Sequence, residues 1–363
     1  MSEHENQDIA ITALGGITAV GGNAEQSVAA IRAGRMSIAE HEIYKCEPDD
    51  PEWHERLPCY VSAVPVVGHY IEKAERFYQL VMPALEELMS QARLKRKDLE
   101  KCGLFLSLPP MDATIANIGL DERFLGELAQ RTGLLNLKTG KINRSGSSGM
   151  FEHVGDAMAL LQSGELDFCI VGGVDSWLLK KRLGQLDLEM RLKSGRNRDG
   201  FIPGEAATMI MLERTETARS RNAAIMSVIN GFGRGKEPKS FYSQKNSSGQ
   251  GLTAAIDGVL STLDSGKVFN TVYCDLNGES YYATENGLVL SRRGRSLADV
   301  DLIHPVTHCG DVGAAMGGLL IACATMAHYR ALGPGDDVLL WTASDNGARA
   351  ALSLQQCDIE KLC

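Results

Sequence analysis

Apolar positions along this chain follow two alternating rhythms. The stretches 9–20 (IAITALGGITAV), 102–108 (CGLFLSL) and 168–174 (FCIVGGV) are short, nearly continuous apolar runs, the pattern of strands buried on both faces. Between them, 24–34 (AEQSVAAIRAG), about 71–92 and 150–161 carry apolar residues three and four apart, which predicts helices with a buried face. A second series repeats the alternation: strand-like 224–233 (AIMSVINGFG), a helix over about 251–263, strand-like 271–278 (TVYCDLNG), a helix over 312–330, and closing strands at 337–344 (DVLLWTAS) and 349–355 (RAALSLQ). With no low-complexity linker between the two series, this predicts a layered α/β protein whose halves, 1–216 and 217–363, pack as one body.

The turn 144–148 (RSGSS) leads into the 150–161 helix, which ends at Ser163 and Gly164 before a new strand. Two readings of its serines are open. Ser147 or Ser148 caps the helix by accepting a backbone N–H, or Ser147 is a nucleophile presented at a helix N-terminus. The glycines of 15–22 (GGITAVGG) lack the GxGxxG spacing and read as tight turns beside the first strand, not as a dinucleotide site.

Composition narrows the picture. Apolar residues make up 44% and charged residues 23% of the chain, so order throughout is expected. A net charge of -9 argues against nucleic acid, although the basic run 180–182 (KKR) could serve an acidic partner. The nine cysteines, at 46, 59, 102, 169, 274, 309, 323, 357 and 363, include no CxxC pair, and their odd number fits no closed disulfide framework, which points to a reducing cytoplasm. No stretch of about 18 uncharged apolar residues suggests a membrane span, and the first ten residues (MSEHENQDIA) are acidic where an export signal would be basic.

Several segments, in order, resemble the β-ketoacyl synthase branch of the thiolase-like enzymes. Residues 11–34 are similar to its opening strand and helix, 163–176 (SGELDFCIVGGVDS) to the strand after its nucleophile helix, and 198–214 (RDGFIPGEAATMIMLER) to its most specific motif. Further on, 272–280 (VYCDLNGES) and 310–318 (GDVGAAMGG) stand where the family has its two catalytic histidine loops, and 344–352 (SDNGARAAL) where it has a glycine-rich gate. The resemblance implies a five-layered αβαβα fold of two similar halves, an active site between them and a homodimer.

It also implies a changed chemistry. The family's nucleophilic cysteine aligns with Ser147, its first histidine with Asp275, and its second with Gly310 or, by a shifted register, His308; the gate phenylalanine falls on Asp345. A serine needs an adjacent base where a helix-terminal cysteine can maintain a thiolate, and an aspartate anion cannot donate to a developing enolate. Ordinary decarboxylative condensation is therefore not expected. One reading takes Ser147 as nucleophile, His308 as base and Asp275 as orienting acid, with oxyanion donors from the backbone of Ser147 and Asn346, in an acyltransferase or hydrolase acting on an acyl thioester of acyl carrier protein or coenzyme A. Arg144, Asn277, Asp345 and Asn346 would bind the substrate in this reading. Asp275, Asn277 and Glu279 alternate as on a strand end and would form a polar network rather than a metal site, and Cys274 would face away from the pocket. The other reading is a catalytically silent partner or assembly module, like the family's chain-length factors, forming a heterodimer with an active synthase. Neither reading calls for a cofactor.

Overall fold

The computed structural model describes residues 8–48, 55–195, 197–333 and 335–357. The acidic N-terminal segment up to residue 7 and Cys363 lie outside the described residues. In chain order the elements are β1 (Ile9–Thr18), α1 (Ala24–Arg32), β2 (Ala39–Cys46), β3 (Leu57–Val61), α2 (Lys73–Ala92), β4 (Cys102–Ser107), α3 (Arg123–Thr132), β5 (Thr139–Asn143), α4 (Gly149–Gln162), β6 (Phe168–Ser176), α5 (Lys180–Leu188), β7 (Glu205–Arg214), α6 (Thr215–Ser220), β8 (Ser227–Lys236), α7 (Gln250–Leu260), β9 (Thr271–Cys274), α8 (Ser280–Arg292), β10 (Asp301–Ile303), α9 (Val306–Cys309), α10 (Met316–Tyr329), β11 (Asp337–Ala343) and β12 (Ala348–Gln355).

One ten-stranded sheet runs β10-β9-β11-β12-β8-β1-β7-β6-β4-β5. It is the same five-strand pattern twice. In the first half β5, β4 and β6 are parallel, and β7 and β1 follow antiparallel. In the second half β10, β9 and β11 are parallel, and β12 and β8 follow antiparallel. The halves join where β1 pairs with β8 over Ile9↔Ile229, Ala10↔Val228 and Ile11↔Ser227. A separate two-stranded ribbon, β2–β3, stands outside this sheet.

The layers follow from strand alternation. Along β4, Phe105 faces the central core while Leu104 and Leu106 face the outer core of the first half. A bulge between Ile11 and Ala13 resets the parity of β1, so that Ile9, Ile11 and Leu14 face the centre and Ala13 and Ile17 the outside. α2 and α3 cover the outer face of the first half and α7 and α8 that of the second, while α4 and α10 fill the layer between the two half-sheets. This is the five-layered arrangement of two similar halves. α10 is buried from Met316 through His328, which explains its nearly all-apolar sequence: it has no solvent face.

Glycines set how closely the outer helices approach. Gly15 and Gly16 lie within β1, not in turns; a Cβ on Gly15 would stand 1.9 Å from the Ala84 carbonyl oxygen of α2. In the second half a Cβ on Gly233 would stand 1.9 Å from the Ala255 carbonyl oxygen of α7. Gly233→Ala therefore cannot be absorbed by a rotamer change, and a loss of about 1–3 kcal/mol in unfolding free energy is expected. A urea midpoint equal to that of the parent would show that α7 slides freely.

Candidate active-site cavity

The loops that leave the parallel strands of both half-sheets converge on one cavity, as ligand sites do at strand carboxyl ends in open α/β sheets. Its walls carry Ser145–Ser147 after β5, Asp175 and Trp177 at the end of β6, Asp275 and Asn277 after β9, Asp311 and Gly313 after α9, and Ala343–Asn346 at the end of β11, closed by Arg191, Tyr242 and Tyr282. Its volume is about 60 Å³, room for a few water molecules. Small-molecule sites are typically several times larger, of order 300–1,000 Å³.

Ser147 sits in a single 3-10 turn, Gly146–Ser148, that runs directly into α4. Gly146 takes a left-handed φ of +75°, which turns the chain from strand to helix at no steric cost. Asn143 and Glu152 hold the turn from behind: the Asn143 carboxamide oxygen accepts from the Ser145 N–H at 2.6 Å, and Glu152 accepts from the Ser145 hydroxyl and from Asn143, both at 2.7 Å. The capping reading is corrected here. Ser148 occupies the N-cap position but makes no side-chain cap; its hydroxyl reaches the carbonyls of Thr342 and Ala348, at 3.2 and 3.0 Å, and its N–H donates to the Ser344 hydroxyl at 2.8 Å. Ser148 thus ties the helix entry to the second half, and the Ser147 hydroxyl faces the cavity with no hydrogen-bond partner among the described residues.

His308 is not brought to Ser147. It lies on the short helix α9, does not line the cavity, and its Nδ1 stands 3.1 Å from the Arg35 carbonyl oxygen. Gly310, with φ +69°, follows and turns the chain back so that Asp311, not His308, enters the cavity. Arg144 also points elsewhere, donating to the carbonyls of Pro109 and Leu120. Asp275, Asn277, Asp345 and Asn346 do line the cavity with Ser147. The stretch 275–279 is a loop, because β9 ends at Cys274; alternation along a strand does not operate there. Asn277 instead donates to Glu279 at 3.1 Å and to Asp311 at 2.9 Å. Cys274 is fully buried in the outer core of the second half.

Arg191 was not signalled by any motif, yet it organises one wall. Its Nε and Nη2 each lie 2.8 Å from a Glu279 oxygen, and its Nη1 lies 2.7 Å from Asp345. The guanidinium also lies 4.1 Å over the Phe241 ring. The hydroxyls of Tyr282 and Tyr242 also donate to Asp345. Burial alone would raise the Asp345 carboxyl, but Arg191 and the two tyrosines outweigh it and hold Asp345 below the usual range. The opposite balance governs Asp275. Burial, helped by the charge of Asp311, pushes it up to about 8 against the 2.7 Å hydrogen bond from the Ala343 N–H. Asp275 is therefore a neutral acid at pH 7 and can donate a hydrogen bond, contrary to the anion expected from sequence. Asp311 is also raised by burial, against hydrogen bonds from Asn277, Trp177 and the Gly313 N–H.

Among the described residues lining the cavity there is no cysteine, histidine or lysine. No group of three or more histidine, cysteine, aspartate or glutamate side chains among the described residues is arranged to hold a metal ion, and no helix among them is long and apolar enough to cross a membrane. The basic run 180–182 is partly internal: Arg182 is buried, stacked 3.7 Å from the Trp177 ring and paired with Asp175.

Comparison with known proteins places this cavity in a family context. The model of the β-ketoacyl synthase N-terminal domain matches residues 145–218, beginning at the Ser147 turn. The 3-oxoacyl-[acyl-carrier-protein] synthase 2 of Rhizobium meliloti (strain 1021) is 31% identical over 93 residues, covering 22% of this chain and 22% of that protein. The Staphylococcus aureus enzyme of the same name is 28% identical over 91 residues, covering 22% of this chain and 23% of that protein. The matched stretch thus spans about a fifth of the length of these relatives. Similarity of fold is far more extensive. A chain of the AntDE:AntF assembly, a type II PKS acyl-carrier protein in complex with its ketosynthase bound to the hexaketide, superposes with a TM-score of 0.80 at 14% identity, covering 97% of this chain and 99% of that one. The ishigamide ketosynthase/chain length factor gives 0.76 at 16% identity, covering 97% and 99%. A β-ketoacyl synthase from Burkholderia phymatum STM815 gives 0.74 at 16%, covering 97% and 100%.

Proposed function

We propose that this chain, which matches the β-ketoacyl synthase N-terminal domain over residues 145–218 and shares the fold of solved ketosynthases, is a non-condensing member of that group, a subunit that pairs with an active ketosynthase in the manner of a chain-length factor. The observation that carries this reading is the cavity lining. Decarboxylative condensation needs a nucleophile that is ionised or has a base beside it, and donors for a developing enolate. The cavity offers Ser147 without a histidine, and Asp275, which stands where the family has its first histidine, is pushed up to about 8 and so is a poor base at neutral pH. A volume of about 60 Å³ also leaves no room for a thioester arm together with an acyl chain. The carboxylates of Asp311 and Asp345 make the interior polar, which disfavours an alkyl chain further.

A second reading rests on one feature, the unpartnered Ser147 hydroxyl at the N-terminus of α4. In it Ser147 accepts an acyl group from an acyl carrier protein or coenzyme A thioester, with the Asp275 proton and the N–H groups of Ser147 and Asn346 facing the oxyanion. The two readings part in one experiment. The protein and Ser147→Ala are exposed to a panel of acyl-coenzyme A and acyl-carrier-protein thioesters and weighed intact. In parallel the protein is co-expressed with a ketosynthase of its own host and the assembly is sized by light scattering. The first reading expects no adduct, no release of carbon dioxide from a malonyl thioester, and a one-to-one heterodimer. An adduct that vanishes in Ser147→Ala would replace it with the second.

A further inference from the structure

Away from the cavity, two cysteines meet in the ribbon. Cys46 closes β2, Cys59 lies inside β3, and residues 47–58 separate them in the chain. The ribbon pairs Cys46 with Leu57, so Cys59 stands two residues along from that partner and projects from the same face. Diagonal neighbours on one face of an antiparallel pair are within reach of each other, and small movements bring their Cα atoms into the range a disulfide spans, below about 7 Å. Both residues are 1% exposed and share one apolar cluster with Leu183, Leu186 and Phe201. Cys46 is the neighbour that weighs most on the ionisation of the Cys59 thiol. Cys102, Cys169 and Cys309 behave differently, directing their sulfurs at backbone carbonyls. None of the eight described cysteines is in a disulfide.

We propose that Cys46 and Cys59 are a redox pair that closes into an intramolecular disulfide on exposure to peroxide. The first thiolate attacks one oxygen of hydrogen peroxide, the O–O bond breaks, and the departing hydroxide takes a proton to leave as water; that sulfur is now a sulfenic acid. The second thiolate attacks it, the S–S bond forms, the S–O bond breaks, and a second water leaves. Two thiols are oxidised and one peroxide is reduced to two waters. The neighbouring Cys46 and burial push the Cys59 thiol well up, so the reaction proceeds when the ribbon opens rather than at its packed face. The ribbon is tethered where that opening is felt: Asp187 of α5 accepts from the Tyr44 hydroxyl at 3.2 Å and from the Glu47 N–H at 2.8 Å. The chain leaving α5 leads directly to Arg191 in the cavity wall, and Phe201 of the same apolar cluster lies 5.3 Å from its guanidinium.

The test uses the full chain. It is treated with graded hydrogen peroxide, remaining thiols are alkylated after denaturation, and peptides are mapped. The expected result is a cross-linked peptide joining Cys46 and Cys59 as the predominant product, lighter by two hydrogens, reversed by dithiothreitol, and accompanied by a higher thermal midpoint in the oxidised protein. Cys59→Ser is expected to abolish that peptide; if it does not fold, the mapping of the parent protein decides alone. The proposal is overturned if the half-exposed Cys357 is fully oxidised while Cys46 and Cys59 remain alkylatable, or if either joins a different cysteine.

Discussion

Glu205→Ala is expected to lose about 3–5 kcal/mol of unfolding free energy, because it leaves a buried guanidinium without its counter-charge. Arg76 on α2 and Glu205 at the start of β7 are both completely buried. The pair is bidentate, at 2.7 and 2.9 Å, and both groups have further partners: Glu205 also accepts from the Val64 N–H and the Ser176 hydroxyl, and Arg76 donates to the carbonyls of Gly68 and Ile71. Alanine removes the acceptor for four of these donors at once while Arg76 remains charged. The double variant Arg76→Met, Glu205→Leu is expected to recover most of the loss, since removing both charges also removes their desolvation cost. Urea unfolding of the three proteins checks this. A single-variant loss under about 1 kcal/mol would mean that water reaches Arg76 in the folded state.

Asp275→Asn is expected to stabilise the protein, increasingly so as pH rises. The folded carboxyl titrates at about 8, whereas an unfolded aspartate titrates near 3.9. Between these values the native state holds a proton that the unfolded chain has released. The stability linked to Asp275 is therefore fully present below about pH 4 and is lost as pH rises through about 8, at up to about 1.4 kcal/mol per pH unit. Asparagine can still accept the Ala343 N–H through its oxygen but has no proton to lose. The stability difference between variant and parent should grow across that window and level off above it. Parallel pH profiles of the two proteins, measured by urea midpoints, would show that Asp275 is solvated and ionised like a surface carboxylate.

The elements legible in sequence are those whose packing leaves a strong periodic trace. β1, β4, β6 and β8 are buried strands, and α2, α4, α7 and α10 are helices set against sheets; each appears as an apolar run or a three-and-four spacing. The ribbon strand β2 (AEHEIYKC) and the helix α8 (SYYATENGLVLSR) have mixed polarity, so no local pattern marks them. In the cavity the division is similar. Ser147, Asp275, Asn277, Asp345 and Asn346 could be singled out because they stand in motif-bearing loops, and those loops line the cavity. Arg191 could not, because its role comes from Glu279 and Asp345, 88 and 154 residues away. His308 misled because two residues of sequence separate it from the aligned position, while α9 and the left-handed Gly310 send its ring to the Arg35 carbonyl.

The repeated strand order imposes a timetable on synthesis. Of the described strands β1 leaves the ribosome before the others, but both its neighbours come late: β7 runs to Arg214 and β8 begins at Ser227. For some two hundred residues of translation the strand IAITALGGIT has no edge to join, although β4, β5 and β6 can already align beside one another. β7 and β8 then arrive almost together and clamp β1 from both sides, so the first half completes its sheet only as the second half begins its own. Such long-range pairing slows folding and leaves an apolar strand in search of a partner meanwhile. A nascent chain halted before β7 should therefore be held by chaperones or aggregate, whereas one extended past β8 should become protease-resistant in a single step.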